Sequence, residues 1–136
     1  MGILFNLGMR VNITAGEELN KILKKPNEVW IPFNEAMIKG GYKESLFSRS
    51  FNRERALVHG VSVEEYEEKL KGFLTLLQDF KEVEEIYLFF GDEPFCEANY
   101  KVVIQALRQY GYKKKLVLNL VDELTGEILQ VKDIDV

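Results

Sequence analysis

The chain has 136 residues, 46% of them hydrophobic and 29% charged, with a formal net charge of −4. Those proportions are ordinary for a globular domain, and the acidic balance argues against nucleic acid as its main partner. A lone cysteine, Cys96, excludes an internal disulfide and a Cys-rich zinc site, and a lone histidine, His59, excludes a histidine metal cluster. No run approaches the roughly 18 apolar residues of a membrane span, so no membrane partner is expected and a reducing cytoplasm is the expected location.

Met1 to Met9 are mildly apolar but lack the charged start and small-residue cleavage site of a signal peptide. Asn6 stands where N-myristoylation needs Ser or Thr. Arg10 to Ile13 (RVNI) reads as a short strand. Thr14, with Glu17 three residues on, makes a capping-box pattern, in which a hydroxyl and a carboxylate satisfy the free amides of a helix start. Leu19, Ile22 and Leu23 then share a helical face, and Lys24, Lys25 and Pro26 close it. Glu28 to Phe33 (EVWIPF) reads as a second strand that ends, or becomes an edge, at Pro32. Asn34 to Gly41 is a loop. Between Ser45 and Gly60, Phe47, Phe51, Leu57 and Val58 partly follow a helical face, with Gly60 as a C-terminal cap.

Ser62 and Glu65 form a second capping box. Val63, Tyr66, Leu70, Phe73, Leu74 and Leu77 keep helical spacing, predicting one helix of about four turns. Glu64, Glu65, Glu67 and Glu68 crowd its start, where the helix dipole favours anions. Ile86 to Phe90 (IYLFF) is apolar at every position, as a strand covered on both faces should be. Gly91 and Asp92 break it. Asp92 is placed to cap the next helix, Pro94 suits its first turn, and Phe95, Val102, Val103, Ala106, Leu107 and Tyr110 define its buried face up to Gly111. Leu116 to Val121 (LVLNLV) is a further buried strand, Asp122 to Gly126 a turn, and Glu127 to Val131 the second arm of a hairpin. The order β-α-β-α-α-β-α-β-β predicts one α/β domain over residues 1–136. Its architecture is a three-layer α/β/α sandwich with a mostly parallel sheet and a C-terminal antiparallel edge hairpin.

Three blocks, VNITAGE (Val11 to Glu17), PFNEAMIKG (Pro32 to Gly40) and LFFGDEPFCEAN (Leu88 to Asn99), together resemble the bacterial domain-of-unknown-function family 1835. That family has blocks of the form INITNGD and LWFGxDxFCQxN, and the likeness extends to Asn119 to Glu123. The resemblance implies a bacterial cytoplasmic α/β domain and carries no activity with it. Here Ala15 replaces Asn, Glu17 replaces Asp, Phe89 replaces Trp and Glu97 replaces Gln.

In open parallel sheets, ligands bind outside the carboxyl ends of the strands. The corners expected there are Thr14 to Glu17, Asn34-Glu35 and Gly91 to Glu93, with Asp122 as a fourth. Thr14, Gly16, Asn34, Gly91, Asp92 and Asn99 are therefore the candidate ligand-binding residues, expected around one depression. The plainer alternative is that Thr14 and Asp92 are helix caps and Gly16 and Gly91 turn residues. Neither G-x-G-x-x-G nor a Walker P-loop is present, so no cofactor is expected. Glu17, Asp92 and Glu93 have the oxygen chemistry for Mg²⁺, but their spacing matches no known loop and no metal site is assigned. Cys96 lies in a first helical turn that would favour a thiolate, while its apolar neighbours favour a buried structural thiol.

Arg49, Arg53 and Arg55 form the one basic cluster. It reads either as an anion site or, more simply, as a solvated face pairing with Glu54 and the acidic helix. His59 reads as a helix-end residue, Asn99 as a tie from its helix to a corner loop, and Trp30 and Phe33 as core. No catalytic residue is assigned. The leading reading is a domain that binds a small molecule or anion at the carboxyl edge of the sheet. The alternative is a protein-interaction or scaffold domain acting as a homodimer, and a third is an enzyme using the corner carboxylates.

Overall fold

The structure is a computed structural model and describes residues 8–134; the signal and myristoylation readings rest largely on residues outside that range. Five strands form one sheet in the order β2-β1-β3-β4-β5. β1 (Met9–Thr14), β2 (Val29–Pro32), β3 (Val83–Phe90) and β4 (Lys115–Val121) run parallel, and β5 (Ile128–Asp133) closes the edge antiparallel to β4. The expected α/β architecture with its terminal antiparallel hairpin is what forms.

Alternation along the strands sorts the sheet into two unequal faces. Val11 and Ile13, Ile31 and Phe33, Ile86, Leu88 and Phe90, and Leu116, Leu118 and Leu120 point to the main core. That core is roofed by α2 (Arg49–His59), α3 (Val63–Lys69), α4 (Lys71–Gln78) and α5 (Pro94–Gln109). The opposite face carries Trp30, Tyr87, Phe89 and Val121, and its only helical cover among the described residues is α1 (Glu17–Leu23), through Leu19 and Leu23. This explains why Ile86 to Phe90 is apolar at every position: β3 is the middle strand and buries side chains on both sides. From β1 the chain moves to β2 through α1 on one face, then back across β1 to β3 through α2–α4 on the other. Right-handed crossovers require that change of face when the direction of progression reverses, so the switch point of the sheet lies between β1 and β3.

Local chemistry departs from expectation at four places. Thr14 does not cap α1. It pairs with Pro32 and Phe89 as the last residue of β1, and its hydroxyl lies 3.0 Å from Asn20 Oδ1. Gly16 takes the cap position. Asp92 likewise makes no cap; Glu93 stands at that position and its side chain caps nothing. The long helix expected after Ser62 is two helices meeting at Leu70 (φ −107°, ψ 14°). Apolar spacing is blind to that break because Tyr66, Leu70, Phe73 and Leu77 remain buried on either side of it. Finally, Leu57 and Phe95, expected on buried helical faces, are exposed. Ser62 does cap α3, accepting from the Glu65 amide at 3.1 Å, and Gly60 does end α2 in the left-handed conformation at φ 67°.

Candidate functional site

The corner after β2 is organised by a buried ion pair. Arg55 of α2 donates from Nε to Glu35 Oε2 and from Nη2 to Glu35 Oε1, both at 2.9 Å, and neither side chain is exposed at all. The other three guanidinium N–H groups reach the carbonyls of Lys39 (2.8 Å), Gly41 (3.1 Å) and Ala36 (3.0 Å). All five donors of this arginine are thus used, three of them to pin the loop that follows β2. Asn99 of α5 holds the same loop from the opposite side, donating to Glu35 O and accepting from the Met37 amide, both at 2.8 Å. The expectation for Asn99, a tie between helix and corner loop, is met. Arg55 is a correction: it is no solvated charge, and of the basic cluster only Arg49 pairs with the acidic helix, through Glu64 and Glu67. Glu54 instead accepts from the Lys43 and Glu44 amides.

Glu35 receives more than the arginine. The Ala36 amide donates to Oε1 at 2.7 Å, and the Tyr66 hydroxyl of α3 donates to Oε2 at 2.7 Å. Burial alone would raise the carboxyl's pKa. The hydrogen bonds from Arg55, Tyr66 and Ala36, with the charge of Arg55, outweigh that and hold it at about 2. Tyr66 moves the other way, its hydroxyl pushed well above its ordinary value by burial and by the neighbouring carboxylate. It therefore stays a neutral donor.

His59, the last residue of α2, completes the cluster: its Nε2 is hydrogen-bonded to Glu35 Oε1. An ionised carboxylate only accepts, so Nε2 carries the proton. Nδ1 has no partner among the described residues and is not among the buried unpartnered atoms, so solvent reaches it.

This network forms one wall of a cleft of about 370 Å³ beside the switch point. Gly16 and Asn34 line it from the strand corners, His59 from the end of α2, Tyr66 and Lys69 from α3, and Phe95 from the start of α5. Asn34 shapes it. Its amide donates to Glu17 Oε2 at 3.3 Å and to Lys69 O at 3.1 Å, so it satisfies a carbonyl at the break between α3 and α4 that would otherwise lose its helical partner.

Of the six candidate residues, Gly16 and Asn34 line this cleft. Gly91 and Asp92 line a second depression of about 520 Å³, with Glu93, Asp122 and Glu123. Thr14 and Asn99 are buried beneath the surface. The corners thus lie at one sheet edge but serve two cavities. Cys96 sits under the second. Its thiol donates to Glu123 Oε2 at 3.1 Å, and burial first, then that hydrogen bond and charge, push it up to about 12. A Cβ on Gly91 would lie 2.5 Å from Glu123 Oε2, so only glycine lets that carboxylate close over the corner. Among the described residues, no group of three or more His, Cys, Asp or Glu side chains is placed to hold a metal ion.

Sequence reasoning reached Glu35 as a corner residue but missed its partners. The available signal was on α2, where Phe51, Asn52, Arg55 and Ala56 make a buried stripe. A charge on such a stripe requires a partner.

Fold and cleft together define a doubly wound α/β domain with a polar cleft at the carboxyl edge of its sheet. No family model, curated protein or solved structure matches the chain.

Proposed function

We propose that this domain binds a small anionic molecule in the cleft between the β1 and β2 corners and the α2–α3 elbow. The observation that carries the reading is the polarity of the wall. Glu35 is fully committed to donors within the chain, while two further lining residues, Lys69 and His59, keep an ammonium and Nδ1 without a partner among the described residues, free for a ligand. An ammonium suits a carboxylate or phosphate group, and Nδ1, an acceptor in this tautomer, suits a hydroxyl or amide donor on the same molecule. The cleft residues also come from all three blocks of the family resemblance: Ala15 and Gly16, Phe33 to Ala36, and Phe95.

A second reading is acid–base chemistry on the bound molecule. It is favoured by one feature: Glu35 fixes the His59 tautomer and leaves the other ring nitrogen available as a proton acceptor, the orienting role a carboxylate plays in catalytic dyads.

Native mass spectrometry of protein isolated from a bacterial host tests retention of a ligand. Titration with inorganic phosphate and with succinate, followed by amide NMR, tests the site. Saturable shifts at Asn34, Tyr66 and Lys69 are expected, and Lys69→Met should weaken binding by about tenfold or more, the loss of one charge-assisted contact. Shifts that are absent, or that centre on Asp92 and Glu123, would overturn the assignment.

A further inference from the structure

The sheet face that α1 only partly covers holds a separate chamber of about 410 Å³. Its floor is aromatic. Trp30 and Phe89 lie with ring centroids 5.3 Å apart and planes tilted by 33°, and next to them the Arg10 guanidinium sits 3.7 Å over the centre of the Tyr87 ring. The roof is made where the β4–β5 turn meets the end of α1. A Cβ on Gly126, which has φ +80°, would come within 2.8 Å of Leu23 Cδ2, so this contact needs glycine. At the back of the chamber is Asn119, the one polar residue in the LVLNLV strand. It is 4% exposed as a residue, and its side-chain amide makes no hydrogen bond among the described residues; it is not one of the fully buried unpartnered atoms, so the amide opens onto the chamber. Buried amides are almost always paired, and the neighbouring Asn12 obeys that rule by donating to Val29 O and Glu28 Oε1. Trp30 Nε1 is a buried polar atom without a partner among the described residues.

We propose that this chamber is a binding site for a planar heteroaromatic ring of the nucleobase type, stacked on the aromatic floor and hydrogen-bonded at its edge by Asn119. Three features fit that class together. An asparagine amide offers one donor and one acceptor side by side, the complement of a base edge such as that of adenine. Aromatic faces and an arginine plane are the usual stacking partners of bases. The volume lies at the small end of the range for ligand pockets. Of the charged residues that line the chamber, Arg10 and Lys25 outnumber Glu28, so a phosphate attached to the base is tolerated at the rim. The site lies on the opposite face of the sheet from the anion cleft and does not depend on it.

Trp30 is the only tryptophan in the chain, so its emission reports on the chamber alone. The probes are adenosine and AMP, added to the full chain, with nicotinamide and cytidine for comparison. Saturable quenching by adenosine is expected, together with a shift of the Asn119 side-chain amide in NMR. Asn119→Leu, confirmed folded by its thermal transition, should weaken adenosine by about tenfold, the loss of an edge contact; Asn119→Asp, which keeps the acceptor and removes the donor, should weaken it as well. Lys69→Met should leave it unchanged. The proposal is overturned if none of the four compounds quenches Trp30 saturably, if quenching survives Asn119→Leu undiminished, or if the NMR shifts fall around Lys69 instead. AMP binding more tightly than adenosine would place the phosphate at the Arg10–Lys25 rim; equal affinity would confine recognition to the base, and the proposal stands on either result.

Discussion

Replacing Glu35 with Gln keeps the shape of the side chain and removes its charge. The replacement has one carbonyl oxygen where two carboxylate oxygens accepted, and it turns an NH₂ group toward groups that are themselves donors: Arg55, Tyr66, His59 and the Ala36 amide. Arg55 is left as a charge with no exposure. Removing one partner of such a pair costs about 3–5 kcal/mol, because the other stays buried and uncompensated. Against a total stability of about 5–15 kcal/mol, the variant still folds but with much of its margin gone. With an m value of about 2 kcal/mol/M, the urea midpoint falls by about 2 M. Tyr66→Phe supplies the scale. It removes one donor from a carboxylate that keeps the others, and should cost about 1.5–3 kcal/mol, as a hydrogen bond to a charged group. Urea unfolding followed by circular dichroism at neutral pH, with m unchanged, measures both. If Glu35→Gln unfolds within about 1 kcal/mol of the wild type, or is milder than Tyr66→Phe, the pair does not bear on stability as argued.

The same carboxylate makes the fold acid-sensitive. Its pKa falls from the ordinary 4.5 to about 2 on folding, so the unfolded chain takes up the proton first. The stabilisation is complete above about 4.5 and is lost as pH falls toward 2, amounting to about 3 kcal/mol. Urea midpoints across that interval should decline steeply in the wild type and lose this component in Glu35→Gln. Cys96, with its thiol raised to about 12, should react with a disulfide reagent at mildly alkaline pH on the order of a thousandfold more slowly than in the unfolded chain. A native rate near the unfolded one would contradict the buried, hydrogen-bonded thiol.

The fold was legible because its signals are local. Unbroken apolar runs at Ile86 to Phe90 and Leu116 to Val121 mark strands in the body of the sheet, and alternation of strands with helices leaves few topologies once crossovers are right-handed. Misreadings cluster where two local patterns agree and tertiary structure decides between them. Thr14 with Glu17 is a good capping box in isolation. Yet Thr14 pairs on both sides within the sheet, and extending the strand by one residue removes it from the helix start. At Leu70 the apolar spacing runs on unchanged through a backbone break, and the evidence for the break lies 35 residues away, in the bond from Asn34 to Lys69 O.

The cleft was less legible for the same reason carried further. Its defining contacts join Glu35 to Arg55, His59 and Tyr66 across 20, 24 and 31 residues, and none of the four has a neighbour in sequence that marks it. Arg55 stands between Arg53 and Leu57, both exposed, and a local reading assigns it to the same solvated surface. Burial of Arg55 and burial of Glu35 are each unfavourable alone and become tolerable only together, so no property of either residue separately could announce the pair. The loop after β2 depends on that mutual requirement: three of its carbonyls are held by one guanidinium that is itself kept in place by the loop's own carboxylate. A strand corner alone would have left this loop free to vary. Locked by Arg55 below and by Asn99 behind, it instead presents Asn34 and the Glu35–His59 pair to the cleft in one fixed arrangement, as binding with little ordering cost requires.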